Sequence, residues 1–167
     1  MNPLEFFYEA TKDVLDQILD EAVKPCGIQK VDSPSEILEV AVILGLTGHQ
    51  EGRVVFEFSQ QTGLNIAKVM NFGEEFLELD HMARATLSEL GNLIAGRAVT
   101  LINNAGGLLQ ISPPILMCGI GMRCSDMSAV HKMKFGTHVG DVFVNLSIRP
   151  SRRRKLGEHQ NQACVAG

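Results

Sequence analysis

Between residues 83 and 101 the apolar positions return at helical intervals. At about 100° per residue, Ala83, Leu87, Leu90, Ile94, Ala98 and Leu101 share one narrow stripe. Asp80 is placed to cap such a helix and Gly106-Gly107 to end it, so the pattern predicts a long helix from about 80 to 104 with the stripe toward a core. A second long helix is predicted over about residues 3–24. Asn2 is an N-cap followed by a first-turn proline, and Phe7, Thr11, Val14 and Ile18 keep the spacing until Pro25. Ser59 can cap a shorter helix through Leu64, Ala67 and Val69 that stops at Asn71-Phe72-Gly73.

Elsewhere the period shortens to two. After the turn-rich Val31-Asp32-Ser33-Pro34-Ser35, the run from Ile37 to Leu46 and the alternating Val54, Phe56 and Phe58 read as a hairpin joined by Gly48-His49-Gln50-Glu51-Gly52. Leu108–Ile111, Ile115–Cys118, Ala129–Phe135 and Val142–Arg149 are further short strands. The fold class expected is α/β of the α+β type: two long helices and a shorter one packed on a mostly antiparallel sheet of about six strands. One domain is expected over residues 1–150. Residues 151–167 carry Arg152-Arg153-Arg154-Lys155 and then polar residues with no apolar period, and are expected to form a disordered basic and polar tail.

Composition narrows the function classes. A length of 167 residues with 45% hydrophobic and 20% charged suits one domain with a real core. No run of 18 or more apolar residues occurs and the first residues lack a signal-peptide pattern, so no membrane association and a cytoplasmic location are expected. A net charge of -4 argues against nucleic acid as a partner, because phosphate binding needs clustered cations on the folded surface. Cys26, Cys118, Cys124 and Cys164 have no metal or disulfide spacing and read as reduced thiols, mostly core filler. His49, His81, His131, His138 and His159 share no metal-ligand spacing, and no metal site is expected. Asn103-Asn104 reads as helix capping.

Opposite the apolar stripe of the long helix lie Ala85, Glu89, Asn92 and Gly96. Glu89 and Asn92 are i, i+3 neighbours facing away from the core among residues with almost no side chain. Gly91 and Gly96 each cost a helix interior roughly 1 kcal/mol relative to Ala, so packing beneath or a partner above must account for them. A Glu and an Asn on a helix face are usually ordinary solvated residues, and the pattern alone does not say otherwise. However, Ser88-Glu89-Leu90-Gly91-Asn92-Leu93-Ile94-Ala95-Gly96 followed by Ile111-Ser112-Pro113-Pro114 resembles the signature of the CheC/CheX/FliY chemotaxis phosphatases. In that family an E-x-x-N on a long exposed helix is followed about twenty residues later by proline. The resemblance spans the first helix to about Arg149. Its single E-x-x-N, with none in the 59–71 segment, resembles the CheX branch rather than CheC, which carries two. Ala85 stands where the family pattern often has Asp or Ser.

The resemblance implies a CheC-like fold and a phosphatase acting on the aspartyl-phosphate of a CheY-like response regulator. Asn92 would orient the attacking water, and Glu89 would dock the receiver by pairing with a lysine beside the phosphate. No cofactor of its own is implied, since Mg2+ is expected in the partner receiver domain. A homodimer joined at sheet edges and a CheD-like regulator are the further partners implied. Two alternatives stay open: a non-catalytic receiver-binding or flagellar-switch module of the same fold, and a dimerisation domain in which Ala85, Gly91, Ala95 and Gly96 let a partner helix approach.

Overall fold

The computed structural model describes residues 2–32, 35–125 and 129–151. Of the expected tail, Ser151 is buried and its N–H donates to His49 O at 3.1 Å, so the ordered domain extends at least one residue beyond the expected boundary. Residues 152–167, with the basic segment Arg152-Arg153-Arg154-Lys155 and Cys164, lie outside the described residues.

Three helices form: α1 (Pro3–Leu19), α2 (Gln60–Met70) and α3 (His81–Asn104). Each starts where a capping side chain allows it. Asn2, Ser59 and Asp80 accept hydrogen bonds from the N–H groups of Leu4, Thr62 and Ala83. Helix α1 stops five residues short of the expected end. Asp20 takes a left-handed conformation with φ 50°, and Asp16 Oδ1 accepts the Val23 N–H at 2.8 Å across the turn. Burial pushes the Asp16 carboxyl up, but the Lys12 ammonium and the Val23 N–H outweigh it and hold the pKa below its ordinary value.

The strands are β1 (Lys24–Val31), β2 (Ser35–Glu36), β3 (Val40–Gly48), β4 (Gln50–Phe58), β5 (Leu109–Ile111), β6 (Ile115–Cys118), β7 (Arg123–Cys124), β8 (Val130–Thr137) and β9 (Gly140–Pro150). The main sheet runs β1-β8-β9-β4-β3-β5, with β6 also pairing β3, and every pairing is antiparallel. It thus has six strand positions, the last shared by β5 and β6. Leu46 faces Ile111 and Ile43 faces Ile115, so the outer run carries one extra residue where Ser112-Pro113-Pro114 interrupts it. Gly45 and Ser112 bridge that break in both directions, Gly45 N–H to Ser112 Oγ at 2.8 Å and Ser112 N–H to Gly45 O at 2.9 Å. Proline is tolerated there because the outer side of an edge strand needs no donor.

Strand β1 is not predicted by the sequence pattern, which gives helix as far as residue 24 and turn at residues 31–35. It is an edge strand whose side chains are almost all exposed, so no alternation marks it. Strands β2 and β7 form a separate two-stranded sheet.

The helices cover one face of the sheet. Phe7, Leu15, Leu87, Leu90 and Ile94 pack there against Val42, Phe56, Phe135 and Val144, all essentially inaccessible to water. Leu101, expected in the stripe, is only half buried, and Ile102 takes the deep position. On the other face a small cluster of Ile37, Ala41, Val55 and Cys124 seats the β2–β7 pair. Beside it Glu57 is fully buried. Its carboxylate accepts the Leu38 N–H at 2.6 Å and the Asn145 side-chain amide at 2.9 Å, and pairs with Lys132. The charge is thus desolvated only where it is fully partnered.

Gly91 and Gly96 are alike in the sequence and unlike in the fold. A Cβ on Gly91 would lie 2.7 Å from Val42 Cγ1 and 3.3 Å from Phe56 Cδ2, so this glycine lets α3 lie close on β3 and β4. A Cβ on Gly96 would meet nothing within 4 Å. Gly91→Ala is therefore expected to destabilise the protein by about 1–2 kcal/mol after the gain in helix propensity. Gly96→Ala is expected to stabilise it by about 0.5–1 kcal/mol. Chemical denaturation of both variants checks this; shifts of the same sign would contradict it.

Candidate functional site

Helix α3 lies across the middle of the helical layer, braced on both flanks. Asp13 of α1 pairs with Arg97 at 3.3 Å. At the end of α2, the Asn71 side-chain amide donates to Thr86 Oγ1 at 2.9 Å and to Ala67 O at 2.8 Å. At the C-terminal end the cap is Ala105 rather than the expected Asn103-Asn104, and the Asn103 side chain instead exchanges two hydrogen bonds with Leu109, 2.8 and 3.1 Å long, fastening α3 to β5. None of these braces was legible in the sequence, because each joins residues whose neighbourhood only the fold creates.

What remains open is the outer face of α3. Ala83, Leu87, Leu90, Ile94 and Ala98 are buried as the periodicity required, while Ala85 and Glu89 are exposed and Asn92 and Gly96 half buried. Glu89 and Asn92 are thus brought together one turn apart on a rigid, braced helix. Among the described residues neither side chain takes part in a hydrogen bond or ion pair. Their capacity is complementary. The carboxylate can accept from a cation, and the carboxamide can donate and accept at once, which is what holding one water in a fixed direction requires.

Ala85 is exposed one turn before Glu89, so the row offers no third polar group there. Pro113 and Pro114, the other part of the sequence signature, sit in the break of the edge strand and contribute no donor.

The other candidates do not converge on this face. Among the described residues no three His, Cys, Asp or Glu are grouped so as to hold a metal ion. Imidazole Nδ1 of His138 instead pairs with Glu21 at 2.9 Å, near the β8–β9 turn. Of the cysteines expected mostly in the core, those among the described residues divide: Cys124 is buried, whereas Cys26 and Cys118 are exposed on edge strands, where outward positions are not covered. No helix among the described residues is long and apolar enough to cross a membrane.

With this geometry in place, comparison with known proteins is informative. The family model described as chemotaxis phosphatase CheX matches residues 40–138, a span that contains α3 with Glu89 and Asn92. The CheY-P phosphatase CheX of Thermotoga maritima is 28% identical over 143 residues, which cover 85% of this chain and 90% of that protein. The structure is similar to the chemotaxis protein CheX of Desulfovibrio desulfuricans, with a TM-score of 0.78 and 22% identity over 90% of this chain and 100% of that one. It is also similar to a chain of the CheX-CheY-BeF3-Mg2+ complex of Borrelia burgdorferi, with a TM-score of 0.76 and 29% identity over 89% of this chain and 98% of that one.

Proposed function

This chain belongs to the chemotaxis phosphatase CheX family, and from that premise we propose that it hydrolyses the aspartyl-phosphate of a CheY-like response regulator, with Asn92 orienting the water and Glu89 docking the receiver. One observation carries the assignment of residues: Glu89 and Asn92 stand one turn apart on an exposed, braced helix, with nothing in the described chain to satisfy them.

The chemistry asks little of the phosphatase. An aspartyl-phosphate is an activated acyl phosphate held in the receiver's own pocket, where Mg2+ is expected to be supplied by the receiver. The missing element is a water aligned with the phosphorus. The Asn92 amide can hold that water through one donated and one accepted hydrogen bond. As water attacks, the bond from phosphorus to the acyl oxygen breaks, the aspartate leaves as a carboxylate and inorganic phosphate departs with the water's oxygen and both of its protons. A carboxamide is too weak a base to take the proton, so its role is orientation. Glu89, one turn earlier, pairs with a receiver cation and fixes the register in which Asn92 enters.

The reading is tested by phosphate release. Adding the protein to a phosphorylated receiver should accelerate release, whereas a small acyl phosphate alone should be untouched, because the metal and the aspartyl group come from the receiver. Hydrolysis of the small acyl phosphate without receiver would overturn it.

Four finer points belong to the same proposal. The protein works in the cytoplasm, where its receiver is. It forms a homodimer through sheet edges. Both outer strands are open to pairing, and Ile115, Met117 and Ile120 leave apolar side chains exposed at and just beyond β6. Light scattering at micromolar concentration should give twice the chain mass, and a monomer would count against it. A CheD-like regulator is a further candidate partner, for which binding in the presence and absence of receiver is the test. Residues up to 150 carry the activity, and removing 152–167 should leave turnover within about a factor of two.

A further inference from the structure

The described surface holds few large apolar side chains that nothing covers, and several of them gather around the first half of α3. Phe72 and Leu77 are almost completely exposed in the segment between α2 and α3, and Met82 and Leu93 are 48% and 42% exposed on α3 itself. At 100° per residue Met82 projects within about 20° of Glu89 and Leu93 within about 40°. The two therefore flank the carboxylate on the same outer face, Met82 two turns before it and Leu93 one turn after.

Phe72 lies in the segment between α2 and α3, next to a residue tied to α3. Asn71, its neighbour in the chain, is tied to Thr86, three residues before Glu89, and the Gly73 N–H bonds Lys68 O at 2.8 Å. Glu75 pairs with Lys68, pinning the segment a second time. Phe72 itself has φ 56°, a left-handed backbone that is strained for a bulky aromatic residue and costs of order 1 kcal/mol. A ring that gains no burial within its own chain, on strained but fixed backbone, is a contact residue for something else. Glu74 and Glu78, both exposed, border it with negative charge.

We propose that Phe72, Met82 and Leu93 form an apolar contact for the phosphorylated receiver, continuous with Glu89 and Asn92. It would meet an apolar patch with basic neighbours beside the receiver's phosphorylation pocket. This rests on the receiver being the partner of Glu89. The occupant is set by continuity: a receiver seated over Asn92 must lie across the outer face of α3, where Met82 and Leu93 stand. Affinity is then supplied by apolar burial around a polar catalytic pair, the arrangement in which contact energy concentrates on a few aromatic and aliphatic anchors. Orientation is left to Glu89.

Phe72→Asn tests this with a substitution that suits left-handed backbone and removes only the ring. Calorimetric titration with a beryllofluoride-activated receiver should show Kd raised about tenfold or more, the loss typical of one such anchor. Turnover at saturating receiver should stay within about twofold, and the melting temperature should be unchanged or higher. Leu93→Ser should weaken binding in the same way. An unchanged Kd in both variants would overturn the proposal. So would a lowered melting temperature with unchanged Kd, which would assign Phe72 to the fold, or a change in oligomeric mass, which would assign the face to a second copy. If the protein binds the receiver without hydrolysing its phosphate, the phosphatase reading fails while the Kd comparison still decides this one. If it does not bind, both fall.

Discussion

Asn92→Ala is expected to lower turnover of the phosphorylated receiver by at least about a hundredfold at saturating concentration, the scale on which positioning and transition-state hydrogen bonds act. Binding should persist within a few-fold. The side chain is half buried at the outer face of α3 and makes no hydrogen bond among the described residues, so its loss leaves no partner unsatisfied in the fold. Alanine is also the better helix former, so the melting temperature should not fall. Single-turnover phosphate release together with a binding titration separates the two effects. Near-normal turnover at saturation would remove the water-orienting role and bring the binding-module alternative forward.

Glu89→Ala is expected to act chiefly on binding. Its carboxylate is exposed and makes no ion pair among the described residues, so its contribution arises when a receiver cation meets it. Truncation should raise Kd about ten- to a hundredfold, as for charged pairs that become partly desolvated on docking. Turnover should fall less, and only as far as register is lost. Salt should weaken the wild-type complex and have much less effect on the variant. An equal salt dependence in both would contradict the pairing. Kinetically the two residues leave different traces: Asn92→Ala lowers kcat and kcat/KM together, while Glu89→Ala mainly raises KM.

How much of the fold the sequence discloses depends on where the physical signals lie. Helix α3 was legible because its apolar period, its Asp80 cap and its terminating glycines agree. The β3–β4 hairpin was legible from the apolar run of β3 and the alternating Val54, Phe56 and Phe58 of β4, while β8 and β9 were legible as strands but not as a pair. The end of α1 was not legible, because residues 20–24 read as helix until Asp20's left-handed turn is seen. Strand β1 was hidden, because an edge strand with exposed side chains carries no period. The buried Glu57 with Lys132 and Asn145 could not be read either, since its partners lie on different strands.

The site divides in the same way. The outward direction of Glu89 and Asn92 followed from the helix period, but their importance came only from the motif they resemble. Two features emerged only in three dimensions. Gly91 serves the packing beneath while Gly96 serves none, and Phe72 is fully exposed on strained backbone in the segment that leads into the same helix. Phe72 did carry a local signal, lying between Asn71 and Gly73 at a helix end, yet that signal reads equally well as an ordinary helix stop.

On the proposed mechanism this chain removes phosphate from a receiver by presenting Asn92 to it. The most direct measurement is the decay of a purified, phosphorylated CheY-like receiver in Mg2+ as increasing amounts of the wild-type protein are added. The decay rate should rise with protein concentration, by at least about tenfold over the receiver's own rate, and then saturate as every receiver is docked. A decay rate that does not change with protein concentration, under conditions where titration shows the complex to be formed, would contradict the account.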